Sequence, residues 1–170
     1  MPGLHHVSDA GPLDVLVPRP SPPGTPHEGR RWVWAVDAER LANYLLPRDC
    51  PRVCWATPAD GTHPLLTSPA ARVVAVEHRW VPRLTDAGLF VHDLEPAGFT
   101  LLDPVAGYWV SEDAAAVRAV RRVDDCLAAL AGLGVEVRLT TDLWPYVDAV
   151  VAAGARFSAI RMRNAGPRTT

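Results

Sequence analysis

The chain has 170 residues, of which 48% are hydrophobic and 21% are charged, and its formal net charge is −2. This length suits one domain with its own core, and the composition excludes extended disorder. The slightly acidic charge gives no general attraction to nucleic acid or anionic lipid, so we expect neither as a partner. The chain shows no secretory signal and no apolar run long enough to span a membrane, which predicts a cytoplasmic protein.

In the first half of the chain, β-type runs dominate. Asp37 is the predicted N-cap of a helix over 38–46, which Pro47 ends. The segment 18–29 contains five prolines, and this predicts an exposed loop that could cover a pocket. Strands are predicted over 4–7, 13–17, 31–36, 52–56 and 72–77.

The second half mixes strands with two longer helical patterns. After a helical turn that begins at His78, strands are predicted over 89–94, 99–101, 107–111, 117–123, 135–139 and 157–163. Helices are predicted over 124–133, with Asp124 as the N-cap, and over 143–153. Strands outnumber helices, and the first half lacks the regular alternation of a doubly wound sheet. We therefore predict an α+β fold in a single domain over 1–170.

Three cysteines, Cys50, Cys54 and Cys126, argue against a disulfide framework because their number is odd. Cys50 and Cys54 could start a metal site, but no second close pair completes four ligands, and we expect no metal. Cys50 as a nucleophile would need a histidine base. The alternative is that the free thiols are simply buried.

Motifs for nucleotide loops, serine nucleophiles and zinc proteases are absent from the sequence. His6 and Ser8 lie two residues apart on a strand, so both side chains can reach one ligand, although a histidine bonded within the core is an equal alternative. The segment 47–52 holds Arg48 and Arg52, which suit a phosphate or carboxylate or, alternatively, helix-end carbonyls and Asp49. The tryptophans are assigned mostly to the core.

Several segments carry a resemblance to known families: Leu-His-His-Val-Ser (4–8), Val-Trp-Ala-Val-Asp (33–37), Pro-Arg-Asp-Cys-Pro-Arg-Val (47–53), Gly-Tyr-Trp-Val-Ser (107–111) and Ile-Arg-Met-Arg-Asn-Ala (160–165). Through them the whole chain resembles a family of small bacterial proteins that carries no known activity. Residues 4 to about 123 also resemble the ADP-ribosyltransferase fold, especially its H-Y-E branch, which includes rifamycin ADP-ribosyltransferases and RNA 2′-phosphotransferases. This second resemblance implies a split mixed or antiparallel β core with flanking helices over 1–123, followed by a C-terminal helix-strand-helix-strand extension over 124–170.

The same resemblance implies that NAD is a substrate and that its ribose is held by His6, with Ser8 beside it. Tyr44 would stack on nicotinamide. An acid on a late strand would stabilise the positive charge that develops on the ribose as nicotinamide leaves. No carboxylate begins the strand at 108–111, so the candidate acids are Glu112, at its far end, and Glu77.

The remaining predicted dinucleotide contacts are Arg19, Arg48, Arg52 and Ser111. The leading hypothesis is an ADP-ribosyltransferase or NAD glycohydrolase with an unknown acceptor. The alternatives are a non-catalytic module that binds a nucleotide or phosphorylated metabolite, a phosphate-handling enzyme that uses Arg48 and Arg52, and a tryptophan-rich protein that docks another chain.

Overall fold

The computed structural model describes residues 3–21, 26–58 and 63–168. Within those residues it contains two β-sheets and three short α-helices, so the α+β class predicted from the sequence is confirmed. The chain forms two compact units, the first from Met1–Leu41 and Leu89–Arg122, the second from Ala42–Gly88 and Val123–Thr170. The expectation of one domain, with a core over 1–123 and an extension over 124–170, stays a prediction.

The strands and helices are short. In chain order the strands are β1 (Leu4–Ser8), β2 (Val15–Leu16), β3 (Arg19–Pro20), β4 (Arg31–Asp37), β5 (Arg52–Ala56), β6 (Arg72–Glu77), β7 (Leu89–Leu94), β8 (Thr100–Asp103), β9 (Tyr108–Ser111), β10 (Ala115–Val123), β11 (Val135–Thr140) and β12 (Phe157–Ile160). The α-helices are α1 (Val81–Leu84), α2 (Cys126–Gly132) and α3 (Trp144–Ala152). Short 3₁₀ helices cover Leu41–Tyr44, Pro64–Leu66, His78–Trp80 and Met162–Asn164.

The first unit contains an eight-stranded sheet, counted over the described residues, in the order β2-β10-β7-β1-β4-β9-β8, with β3 paired to β4. Its central strand β1 pairs with β7 along its whole length but with β4 only at Leu4 and His5. Further along, β4 pairs with β3 instead, where Arg19 lies opposite Trp32. The strands β1 and β4 therefore diverge after His5.

One face of this sheet carries the core of the first unit. The buried residues of that core are Leu4, Leu16, Val33, Ala35, Leu94, Phe99 and Ala115. They alternate along β1 and β4 with residues of the opposite face, as the two-residue period of a strand requires. The opposite face consequently carries the alternate set along β4, which includes Trp32 and Trp34.

The second unit contains a four-stranded sheet, again over the described residues, in the order β11-β6-β5-β12. The pair β6 and β11 is parallel, and the other two pairs are antiparallel. The strands β5 and β6 are almost entirely buried, in keeping with their continuous apolar runs. The helix α3 packs on this sheet through Leu143, Ala149 and Val150, against a core that includes Trp55.

Four sequence predictions need correction. The predicted helix over 38–46 is a turn followed by one 3₁₀ helix, because Arg40 N bonds back to the carboxylate of Asp37 at 2.8 Å and to its carbonyl oxygen at 3.1 Å, which closes a tight turn. The predicted strand over 157–163 ends at Ile160, where Arg161 takes a left-handed φ of 55°.

The strand predicted over 13–17 is shortened to β2, because Leu13 N donates to a histidine ring, Nε2 of His92, instead of a strand. The second helix begins at Cys126, because Asp125 rather than Asp124 is its N-cap and accepts from Ala128 N at 3.0 Å. Of the predicted loop over 18–29, residues 22–25 lie outside the described residues, and Arg19 and Pro20 form β3.

Candidate functional site

His6 lies where β1 and β4 diverge. Its Nδ1 is 2.8 Å from the carbonyl oxygen of Trp34, a backbone group of β4 that lies beyond the paired part of the two strands. Because a carbonyl only accepts, Nδ1 must be the donor, and Nε2 of a neutral ring is then the nitrogen that accepts. The strand divergence thus places an oriented imidazole beside the carbonyl group of Trp34.

His92 supports this position from the neighbouring strand. It lies opposite His6 in the β1–β7 ladder, it is fully buried, and the two ring centroids are 6.1 Å apart. Leu13 N donates to Nε2 of His92, so Nδ1 is its donor, directed at the carbonyl oxygen of His6 at 3.3 Å. Sequence reasoning missed this histidine, whose only signal was the polar pair His92-Asp93 within the strand Leu89–Leu94.

Ser8 and Ser111, both predicted to touch a ligand, are 5% exposed and hold turns. The Ser8 hydroxyl accepts from Ala10 N at 3.0 Å. The Ser111 hydroxyl donates to the carbonyl oxygen of Asp113 at 3.1 Å and accepts from Asp113 N at 3.2 Å. Both hydroxyls therefore stabilise the backbone next to the candidate site.

An aromatic row lies in the first unit and consists of His27, Trp32, Trp34 and Tyr108. Neighbouring ring centroids are 5.4 Å apart for His27 and Trp32, and 5.6 Å apart for Trp32 with Trp34 and for Trp34 with Tyr108. Strand alternation and the β4–β9 register place the last three on the sheet face opposite the core. Trp34 and Tyr108 are only half-buried. The sequence-based assignment of most tryptophans to the core did not predict this row.

Charged side chains border the aromatic row. Arg19 lies opposite Trp32 in the β3–β4 pair and is exposed. The Glu112 Oε1 lies 4.0 Å from Arg30 Nη1, and the two side chains are 76% and 66% exposed. An ion pair this open to water is weak and can rearrange when a ligand binds. The first unit thus combines rings, cations and one carboxylate.

His5 and Asp93 form a second polar pair across β1 and β7. The Nδ1 of His5 is 2.7 Å from Oδ1 of Asp93, and the histidine side chain is 16% exposed. Alternation along β1 directs His5 away from the side of His6. A carboxylate in this position fixes the orientation of an imidazole.

Tyr44, Arg48 and Arg52 belong to the second unit, whereas the five other predicted residues, His6, Ser8, Arg19, Ser111 and Glu112, belong to the first. Arg52 is 3% exposed and donates to the carbonyl oxygens of Asn43 (3.0 Å), Pro47 (3.2 Å) and Cys50 (2.8 Å). Its guanidinium lies 6.0 Å from the ring of Tyr44, and burial lowers its pKa. Arg52 therefore bonds backbone carbonyls, which is the alternative to phosphate binding that the sequence left open. Arg48 is exposed.

Glu77, the second candidate acid, is 1% exposed at the end of β6. Its carboxylate accepts from Arg79 Nε at 2.7 Å and from Gly166 N at 2.6 Å. Arg79 also donates to the carbonyl oxygen of Asn164 at 2.7 Å. Glu77 therefore fastens the C-terminal segment to the sheet, which leaves Glu112 as the carboxylate beside the aromatic row.

The three cysteines are free and buried in the second unit. Burial raises the pKa of Cys50 and Cys54 from 9.0 to about 12, against the opposing charge of Arg52, and raises the pKa of Cys126 to about 11. A thiol with such a pKa is not a thiolate nucleophile at neutral pH. Among the described residues, no group of three or more His, Cys, Asp or Glu side chains could hold a metal ion.

Two β-sheets, short helices and a half-exposed aromatic row with bordering charges define an α+β protein with a candidate binding face. No helix in the described part of the chain is long and apolar enough to cross a membrane. Over residues 5–165 the chain matches the family of unknown function DUF6886, and it belongs to that family. No curated protein and no solved structure matches the chain.

Proposed function

We propose that this protein uses NAD as a substrate and breaks its nicotinamide–ribose bond, as an ADP-ribosyltransferase or an NAD glycohydrolase does. The observation that carries the proposal is the divergence of β1 from β4 at His6. At such a divergence backbone groups and an oriented imidazole are available to a ligand between the two strands. The resemblance of residues 4–123 to the ADP-ribosyltransferase fold is consistent with this position.

In this proposal the residues of the first unit have distinct roles. His6, which donates from Nδ1 to Trp34 O, would contact the ribose where β1 and β4 diverge. By strand alternation His6 shares the face of Leu4 and the core, so a ligand between the two strands would meet the aromatic row on the other face. The half-buried rings of Trp34 and Tyr108 provide an apolar surface for a flat heterocycle. Glu112 is the carboxylate next to them. The proposal assigns no role in this site to Tyr44, Arg48 and Arg52, which belong to the second unit, and the carbonyl contacts of Arg52 do not favour phosphate handling.

The chemistry balances without a further reagent. The bond between the ribose C1′ and the nicotinamide nitrogen breaks, its electron pair leaves with nicotinamide, and positive charge develops on the ribose. The Glu112 carboxylate stabilises this charge. A hydroxyl of water or of an acceptor then adds to C1′, and its proton passes to the carboxylate and on to solvent.

A non-catalytic nucleotide-binding module is the second candidate, and one observation favours it. Glu112 is 76% exposed and follows β9 instead of beginning it. A carboxylate this open to water stabilises a developing charge less than a buried one does. Under this alternative the same face binds the nucleotide but does not cleave it.

The test is to titrate NAD into the protein by calorimetry and to assay the same sample for free nicotinamide by chromatography. We expect saturable binding with nicotinamide release. His6→Asn should keep a donor for Trp34 O but remove the imidazole ring, and should weaken NAD binding by about tenfold. The matched control is His78→Asn at an exposed histidine of the second unit, which should leave binding unchanged.

Binding without nicotinamide release would support the non-catalytic module. Absence of binding at millimolar NAD would overturn the NAD-using function. Equal loss of affinity in His6→Asn and His78→Asn would show that the strand divergence is not the binding position.

A further inference from the structure

A buried hydroxyl in the first unit lacks a hydrogen-bond partner. Ser21 follows β3 and is 5% exposed, and within the described residues its Oγ has no partner. Folded proteins satisfy nearly all buried polar groups, because an unmade hydrogen bond costs more than an apolar replacement. A polar group that is unsatisfied in this way is the kind of group that a ligand satisfies.

The neighbours of Ser21 are cationic. Ser21 N donates to the carbonyl oxygen of Arg30 at 2.8 Å, which extends the β3–β4 ladder by one pair beyond Pro20 and Arg31. Residues opposite each other in an antiparallel ladder project to the same face. Alternation therefore places Arg19, Ser21, Arg30 and Trp32 on one side of the ribbon. We name these four residues the ribbon face.

The ribbon face suits an anion that is attached to a ring. A guanidinium can offer paired N–H donors to phosphate oxygens. Arg19 is exposed, and the contact of Arg30 with Glu112 is long, at 4.0 Å, and open to water. Trp32 connects the ribbon face to His27 and Trp34 of the aromatic row at 5.4 Å and 5.6 Å.

We propose that the ribbon face binds a phosphate group of a nucleoside phosphate whose base packs against the aromatic row. A phosphate oxygen beside Ser21 would supply the missing partner of its hydroxyl. Arg19 would hold the phosphate, and Arg30 would lie between the phosphate and Glu112, so that the carboxylate does not face the anion directly. The inference rests on the proposed function for its choice of a nucleotide, and it adds the group that is recognised.

The experiment compares three probes by calorimetry: ADP, adenosine and inorganic phosphate. We expect ADP to bind at least about tenfold more tightly than adenosine, because charge-assisted bonds to phosphate add to the packing of the base. Inorganic phosphate alone should bind more weakly than ADP. Arg19→Gln and Ser21→Ala should each lower the affinity for ADP by about tenfold and leave the affinity for adenosine unchanged. The control is Arg121→Gln, at an exposed arginine of β10.

Thermal unfolding of Ser21→Ala separates a ligand contact from a structural one. Since its hydroxyl has no partner in the described residues, its removal should leave the melting temperature unchanged or raise it. A lower melting temperature would mean that the hydroxyl supports the fold, and would overturn the inference. Equal affinities for ADP and adenosine would overturn it as well.

The two proposals fail in different ways, because ADP has no nicotinamide to lose. Binding of ADP that depends on Arg19 and Ser21, together with intact NAD after incubation, would keep the phosphate site and refute the NAD-cleaving function. Release of nicotinamide that is unaffected by Arg19→Gln and Ser21→Ala would keep the function and refute the phosphate site.

Discussion

The two units use their polar residues in opposite ways. In the second unit, Arg52 and Glu77 are buried, and their side chains bond backbone groups of the same unit. In the first unit, Arg19, Arg30 and Glu112 are exposed beside half-buried aromatic rings. A buried charged side chain whose hydrogen bonds all go to protein groups stabilises the fold. Exposed charged side chains next to aromatic rings are hydrated, and a ligand can replace that water.

This difference changes the weight of the residues singled out from the sequence. From the sequence, Arg52 was a candidate phosphate contact and Glu77 a candidate catalytic acid. In the structure both side chains are buried and bond backbone groups of the second unit. Glu112 and Arg19 keep their candidate roles because the fold makes little use of them. Substitutions should therefore have different effects in the two units. In the second unit they should lower stability, and in the first unit they should change ligand binding or catalysis.

The largest expected effect is on the stability of the second unit. Arg52→Met removes the donors to the carbonyl oxygens of Asn43, Pro47 and Cys50, and should lower the free energy of unfolding by about 3 kcal/mol or more, measured by urea denaturation. The control Arg163→Met changes an exposed arginine of the same unit and should alter stability by less than about 0.5 kcal/mol. If Arg52→Met instead kept full stability and lost only nucleotide binding, the distinction between the units would be wrong.

Glu112→Gln should change chemistry without changing stability. The substitution removes the negative charge that stabilises the ribose, so the rate of nicotinamide release should fall by about 100-fold. The affinity for NAD and the urea midpoint should stay the same, because the side chain is 76% exposed. Glu95→Gln, at another partly exposed carboxylate of the first unit, is the control, and it should keep full activity. An unchanged release rate in Glu112→Gln would remove Glu112 from the mechanism.

Trp34→Leu tests the aromatic row. Loss of the indole should weaken NAD binding by about tenfold, because aromatic contacts contribute beyond the area that they bury. Trp80→Leu is the matched control, since Trp80 is also half-buried but contacts Arg83 in the second unit. Calorimetry measures the affinity of both variants for NAD. If both affinities fell by the same factor, the aromatic row would have no specific role in binding.

Local sequence patterns predicted many of the strands. The strands over 52–56, 72–77 and 89–94 agree residue for residue with β5, β6 and β7. In β5 and β6 the signal is a continuous run of apolar residues, most of them β-branched or aromatic. The ends depended on contacts that are remote in sequence. Leu13 N donates to His92, 79 residues away, and this bond shortens the strand predicted over 13–17.

The candidate site was less predictable for the same reason. Alternation correctly put His6 and Ser8 on one side of β1, but it could not show that His6 bonds the backbone of Trp34, 28 residues away. Nor could it show that Arg30 approaches Glu112. Spacing along the chain also could not show that Tyr44 and Glu112 fall in different units, because that partition follows from packing.

The smallest expected effect is the change in stability that each of the three thiols of the second unit causes as the pH rises. Their titration shows whether water is excluded from the interior of this unit. Their pKa values in the folded chain, about 12 for Cys50 and Cys54 and about 11 for Cys126, lie above the ordinary value of 9.0. Between pH 9 and the higher pKa of the folded state, the thiols thus keep their protons in the folded chain and lose them in the unfolded chain. The stabilisation is complete below pH 9 and is lost as the pH rises toward 11 and 12. By pH 10 the free energy of unfolding should have fallen by about 1 kcal/mol per thiol.

Urea denaturation at pH 8 and pH 10 measures this loss, and Cys54→Val isolates one thiol. The variant keeps an apolar side chain of similar size at a buried position but removes the proton, so its loss of stability between the two pH values should be smaller by about 1 kcal/mol. The difference between the two proteins cancels the titration of all other groups. If the variant loses as much stability as the unaltered chain, water reaches Cys54 in the folded state. The contrast between a dry second unit and a ligand-accessible first unit would then be wrong.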